Sequence, residues 1–352
     1  MDSTENINLK AFKLFSLILF LIGLCLYFTS TSSPAGAVRS YFFVGFTLLF
    51  LIFGISFSDY TYVNYKKYFS DCALKYIVYA AAYTFICSVI ILFTVFTVRN
   101  NLRFLTNVTA AINNTKFVFT NFWFIPAYLT VLLILPFLNY ILKKTNYSPV
   151  LFASIVLVII SNEIITPILS NNGFPLRDIF ASMRYVLFYG LFTLIGLSYK
   201  KLEEGRQRYK IVTVFFIFTC IVLITACVLI YGYSYDLIKQ FYPPTFFLTV
   251  YHLLILAVLY ISLPKLKKIA NFTDNKKFTN FVSDYLMEIL FISPLILYLL
   301  SLCFSALKFT GFFNEYFIIG FLAYFLSSFL ILTTTYLISA LIQKKTQKSL
   351  LL

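Results

Sequence analysis

Ten apolar runs of membrane-spanning length decide what this chain can fold into. A helix needs about 20 mostly apolar residues to cross the hydrocarbon core of a bilayer. Such runs fall at roughly 11–29, 38–58, 75–97, 121–142, 149–169, 183–199, 211–231, 243–263, 286–306 and 316–342. In lipid every backbone N–H and C=O must find a partner within the protein, which favours helices for all of them. The loops between the runs are short and polar, and none is long enough for a soluble domain. The expectation is an all-α integral membrane protein: a single domain over 1–352, a bundle of about ten transmembrane helices, and a short basic tail at 343–352. Charged residues make up only 12% of the chain, against about 25% in a soluble protein. The opening MDSTENINLK lacks the basic start of a signal peptide, so the first run is expected to remain as a span.

The formal net charge of +15 raises the question of a nucleic-acid partner, and the placement of the charges answers it. Lys and Arg concentrate in cytoplasmic loops of membrane proteins. With the N-terminus inside, twenty of the 28 Lys and Arg fall in inside segments and eight in outside ones. Both termini are therefore expected in the cytoplasm of a multi-pass protein of the plasma membrane. The basic excess reads as topogenic and lipid-facing, and no nucleic-acid role is expected.

Ionisable groups at membrane depth are costly and tend to mark function. Glu163 lies in the fifth run, within IISNEIITP, toward its outer end. Arg177 and Asp178 follow in NNGFPLRDIF, and Arg184 opens the sixth run. Two readings stay open for this group. Glu163 and Arg184 form a structural ion pair between neighbouring helices, or the four residues line an outer polar pocket for an anionic or sugar substrate, since Arg grips carboxylate or phosphate bidentately. His252, the one histidine, sits mid-run in FFLTVYHLLILAVLYIS. It is either a neutral packing residue or a general base, and as a base it needs an orienting partner that the sequence does not supply. The six cysteines show no CxxC or Cys/His spacing, so they read as apolar packers, with no metal site and no disulfide framework expected.

The stretch NFWFIPAYLTVLLILPFLNYILKK, residues 121–144, carries a tryptophan, two prolines and two asparagines that a plain anchor does not need. Asn121-Phe122-Trp123 through Leu135-Pro136-Phe137-Leu138-Asn139 resembles the "WF-x-x-x-Y … L-x-P-F-L-N" span of the membrane acyltransferase-3 family. LFYGLFTLIGLSYKK (187–201) and FISPLIL (291–297) resemble later segments of that family in the same order.

The resemblance implies a ten-span core with both termini inside. It further implies transfer of an acyl group, by default acetyl, from acetyl-CoA or another acyl-CoA to hydroxyls of a cell-surface polysaccharide, with no resident cofactor. The family also includes a branch tied to export of poly-N-acetylglucosamine. Its catalytic mark, a basic residue followed eleven positions later by histidine in the first span, has no counterpart here. Leu21 and Leu24 stand eleven positions after Lys10 and Lys13, and Ser293 stands where a later histidine is usual.

The function expected is therefore O-acyl transfer, by default of acetyl, to hydroxyls of a bacterial cell-surface polysaccharide. The alternative is an export or assembly component, or a non-catalytic partner built on the same scaffold. His252 and Glu163 are the candidate bases. Arg177, Asp178, Arg184, Asn121 and Trp123 are the candidate substrate contacts. The expected partners are the bilayer, a surface glycan or lipid-linked saccharide, and glycosyltransferases of a synthesis complex.

Overall fold

Thirteen residues of the second apolar run, VGFTLLFLIFGIS, are apolar on every side, and the structure places them at the centre. In the computed structural model this helix, α2 (Val44–Ser56), follows α1 (Ser3–Thr29) and precedes a single turn, α3 (Tyr65–Tyr68). Next come α4 (Phe124–Lys144), α5 (Tyr147–Ile160), α6 (Arg177–Leu197), α7 (Tyr199–Glu204), α8 (Arg206–Leu229), α9 (Phe246–Thr273) and α10 (Phe317–Ser349). The structure describes residues 3–29, 41–42, 44–58, 64–69, 124–145, 147–161, 163, 177–234, 245–273 and 316–349, with single positions between 74 and 85 and between 280 and 309. All the regular structure among the described residues is helical.

Eight of the ten expected spans coincide with these helices, and those at 75–97 and 286–306 lie largely outside the described residues. Some boundaries differ from expectation. α6 begins at Arg177, just after Pro175, so Arg177 and Asp178 belong to its first turn rather than to a loop. The segment between the sixth and seventh spans is also helical, with α7 interrupted from its neighbours only at Ser198 and Gly205.

Every residue from Val44 to Ile55 is buried. α2 packs against α1 and α6, which in turn contact α9 and α10, and α4 and α5, respectively. Close approach to α6 depends on Gly54 and Gly196. A Cβ on Gly54 would run into the Thr193 carbonyl, and one on Gly196 into the Leu51 carbonyl. Small residues at such crossings let backbones meet where lipid supplies no hydrophobic drive between helices. One turn away, Phe50 stacks on Tyr189 with ring centroids 4.3 Å apart. On the other side, Ser16 Oγ donates to the Gly45 carbonyl at 2.7 Å, and the Phe20 and Phe46 rings meet edge to face at 4.7 Å.

These contacts fix which helix ends lie together. Phe12 of α1 meets Tyr199, the first residue of α7, just beyond the end of α6. Asn139 near the end of α4 reaches Ser58 beyond the end of α2, and Tyr260 of α9 reaches Leu202 of α7. The start of α1 and the ends of α2, α4 and α6 thus share one end of the bundle, which also carries Lys66, Lys67, Lys143, Lys144, Lys200 and Lys201. This is the basic end of the bundle. The opposite end holds Tyr41, the starts of α2 and α9, and Glu163.

The proline of the 121–144 stretch has a visible consequence. Pro136 sits inside α4. It has no N–H to give to the carbonyl four residues back, which is Leu132. The Tyr68 hydroxyl fills that place, donating to the Leu132 carbonyl at 2.8 Å. One turn on, Asn139, only 1% exposed, donates through Nδ2 to the Ser58 carbonyl at 2.6 Å. Pro136 and Asn139 therefore form a joint that ties α4 to α3 and to the end of α2.

Candidate functional site

At the opposite end the chain brings Glu163 and the start of α9 together. The first amides of a helix lack partners within it, and the partial positive charge there favours a carboxylate. Glu163 Oε1 accepts from the Phe246 N–H at 2.6 Å, while Thr245 Oγ1 accepts from the Leu248 N–H at 3.3 Å. The second carboxylate oxygen, Oε2, accepts from the Tyr233 hydroxyl at 2.8 Å. Among the described residues, Glu163 is partnered by Tyr233 and α9 rather than by Arg184. Burial and the neighbouring carboxylate push the Tyr233 hydroxyl above the usual phenol range, so it stays a proton donor.

Two turns into α9, His252 is sealed completely, with 0% exposure. Its Nδ1 lies 2.9 Å from Thr47 Oγ1 of α2, and the two share a hydrogen bond. Thr47 is the orienting partner that the sequence did not supply. The rings of Phe188 and Phe192 on α6 close over the imidazole at centroid distances of 5.5 and 6.0 Å. Beside it, Tyr251 donates to the Tyr41 carbonyl at 3.1 Å. Arg184, 6% exposed, is also buried, on α6.

Of the other candidate contacts, Arg177 and Asp178 begin α6, and their side chains lie outside what the structure describes; Asn121 and Trp123 lie outside the described residues altogether. The residues missed in the sequence are the small hydroxyls and tyrosines that complete these pairs. Thr47 is one polar atom in a fully apolar run. Tyr233 sits in a loop among 27 tyrosines, with nothing local to distinguish it. Pro136 left one legible signal, an orphaned carbonyl at Leu132, but not the tyrosine that answers it.

A separate cavity of about 340 Å³ opens near the basic end, between α8 and the core helices. Phe12, Ile195, Tyr199, Leu256, Tyr260 and Phe216 are among its walls, and its lining is almost wholly apolar. Its volume is in the range of small-molecule sites, about 300–1,000 Å³. His252 does not reach it, although the adjacent Leu253 does.

Among the described residues the protein is a bundle of helices tied by buried polar pairs, with many large apolar side chains on its surface. One described helix segment, Gln207–Leu229, is long and apolar enough by itself to cross a bilayer, and only 11% of its apolar 18-residue stretch is buried within the protein. Residues 47–340, from Thr47 of α2 into α10, match the acyltransferase-3 family, described as an acyltransferase domain. The chain belongs to that family of membrane proteins. No curated protein and no solved structure matches it.

Proposed function

We propose that this protein acts on a cell-surface polysaccharide and that its default reaction is O-acyl transfer from acetyl-CoA or another acyl-CoA to glycan hydroxyls. The supporting observation is the family match over 47–340, combined with a half-buried carboxylate, Glu163, held at the end opposite the basic one. A sugar hydroxyl is a poor nucleophile near neutral pH and needs a base to take its proton as the acyl carbon is attacked. Glu163 is the candidate better placed for this. It is held by two donors at the rim of the bundle, whereas His252 is closed off by aromatic rings. Arg177, Asp178, Arg184, Asn121 and Trp123 remain the proposed glycan contacts on that side. With the basic end facing the cytoplasm, acyl-CoA enters from that side and its thioester must reach Glu163 at the other. There the glycan oxygen attacks the acyl carbon, the hydroxyl proton passes to Glu163 and CoA thiolate leaves.

The sealing of His252 and the Leu21 side chain, buried where a base is usual, favour a second reading: export or assembly of an exopolysaccharide on the same scaffold. A transporter needs a polar path but no base. The two are separated by deleting the gene, restoring it on a plasmid, and measuring both the amount of surface glycan and its ester-linked acyl groups. Loss of esters at constant glycan supports acyl transfer. Loss of the glycan itself supports export, and no change in either overturns both. Glu163→Gln is expected to lower ester content by about 10²- to 10⁴-fold, the usual worth of a positioned base, with the protein still present in the membrane.

A further inference from the structure

The cavity near the basic end plays no part in the site above, and its chemistry is narrow. Hydroxyls of Tyr199, Tyr209, Tyr260 and Thr213 are the polar side-chain groups around it, and the rest of the wall is aliphatic or aromatic carbon. A ligand with buried amides or hydroxyls would lose water there without regaining hydrogen bonds. An unbranched hydrocarbon chain loses nothing. The cavity follows α9 from Leu253 to Tyr260, about 10 Å at roughly 1.5 Å per residue.

Its mouth opens beside the exposed helix α8. Tyr209 and Phe216 of α8 line it while remaining 43% and 39% exposed, so the opening runs along the seam beside α8. That helix is exposed over most of its length, as Ile211, Phe215 and Phe218 show at 70%, 68% and 65%. Around the mouth the chain reads YKKLEEGRQRYK, five bases against two acids between 199 and 210. Lys200, Lys201, Arg208 and Lys210 are exposed there. Basic residues at the edge of a span attract anionic lipid headgroups.

We propose that this cavity is a binding site for an anionic phospholipid of the surrounding bilayer, with one acyl chain inserted between α8 and α9 and the phosphate held by the basic segment 200–210. The apolar lining selects a hydrocarbon chain, the lateral mouth admits it from the membrane, and the charge around the mouth selects the headgroup. The inference is independent of whether the opposite end transfers acyl groups or exports a glycan. It makes α8 a helix whose seat on the bundle is completed by lipid.

The test uses the full-length protein in nanodiscs of phosphatidylcholine with a minor share of phosphatidylglycerol whose chain carries a diazirine. After irradiation the labelled peptides are mapped by mass spectrometry. Labelling is expected on the inward-facing positions Thr213, Leu256 and Ala257. Thr213→Trp, which fills the mouth from the half-exposed side of α8, is expected to reduce it to the level of the outward-facing Phe218. Replacing Lys200, Lys201, Arg208 and Lys210 with Gln leaves the packing alone and tests the headgroup. Each loss is expected to weaken the preference for phosphatidylglycerol over phosphatidylcholine about fivefold.

Labelling that is no stronger at Leu256 than at Phe218, or that ignores Thr213→Trp, would show bulk lipid contact only and overturn the proposal. Displacement of the probe by micromolar palmitoyl-CoA, but not by excess unlabelled phosphatidylglycerol, would also overturn it and assign the cavity to a thioester.

Discussion

Glu163 shows how one side chain can be both structural and chemical. Its carboxylate caps α9 through the Phe246 amide and holds the Tyr233 hydroxyl. Glu163→Ala is therefore expected to cost about 1–2 kcal/mol of stability, the range for a lost cap with a favourable helix-end charge. Glu163→Gln keeps an acceptor oxygen and should cost less, so thermal unfolding of the two variants separates the cap from the base. Tyr233 adds a pH dependence whose sign follows from its raised pKa. The contribution of the neutral hydroxyl is complete below about pH 10, where the unfolded phenol begins to ionise. It is lost as pH rises from there through the higher native value, and Tyr233→Phe should flatten that alkaline limb. For His252 the expected result is different. His252→Phe should leave acylation unchanged, because the ring is sealed among Phe188, Phe192 and Thr47. It should cost about 1–3 kcal/mol, because the buried Thr47 hydroxyl loses its ring partner. Measured acylation that fell with an intact fold would restore His252 as the base.

Among the elements, the joint between α3 and α4 and the crossing of α2 with α6 carry the sharpest expectations. Tyr68→Phe should destabilise the protein by about 1–3 kcal/mol, because it leaves the Leu132 carbonyl buried without a donor. In a Pro136→Ala background that loss should shrink, since the restored amide at 136 can donate to Leu132 itself. A double-mutant cycle on thermal stability reads the difference, and additive losses would mean that the proline and the tyrosine are not coupled. At the other crossing, Gly54→Val and Gly196→Val each drive a side chain into a facing carbonyl. Each is expected to cost about 3 kcal/mol, the upper part of the overpacking range. Part of this was readable in advance. The stretch 121–144 announced by its prolines and asparagines that it was more than an anchor, and Asn139 proved to be a helix-to-helix tie. The partners were not readable, because Ser58 is 81 residues away and Thr47 is 205 residues from His252.

For the whole molecule, the helix-end contacts gather the start of α1 and the ends of α2, α4 and α6 at one end, together with much of the Lys-rich sequence. Cysteines introduced at Lys143 and at Asn107 should react with a membrane-impermeant thiol reagent in opposite senses. Lys143→Cys should be labelled only after the membrane is opened, and Asn107→Cys in intact cells. The reverse pattern would invert the molecule and place Glu163 on the cytoplasmic side. What the sequence determined by itself is the class: runs of this length and apolarity can satisfy their backbones in lipid only as helices, and the short polar loops set the order of spans. It also carried the family, because each of the motifs at 121–144, 187–201 and 291–297 is a short contiguous stretch of chain. The roles of the individual helices were decided only by tertiary structure. α2 and the part of α8 from Ile211 onward are both apolar around their circumference, yet α2 is buried from Val44 to Ile55 and α8 is largely exposed. In water a one-sided apolar stripe tells which face of a helix turns inward, because burial is rewarded there. In a bilayer lipid tails are as apolar as leucine. Which apolar helix becomes the core therefore depends on where glycines allow close approach and where a lone hydroxyl or carboxylate finds its partner across the bundle.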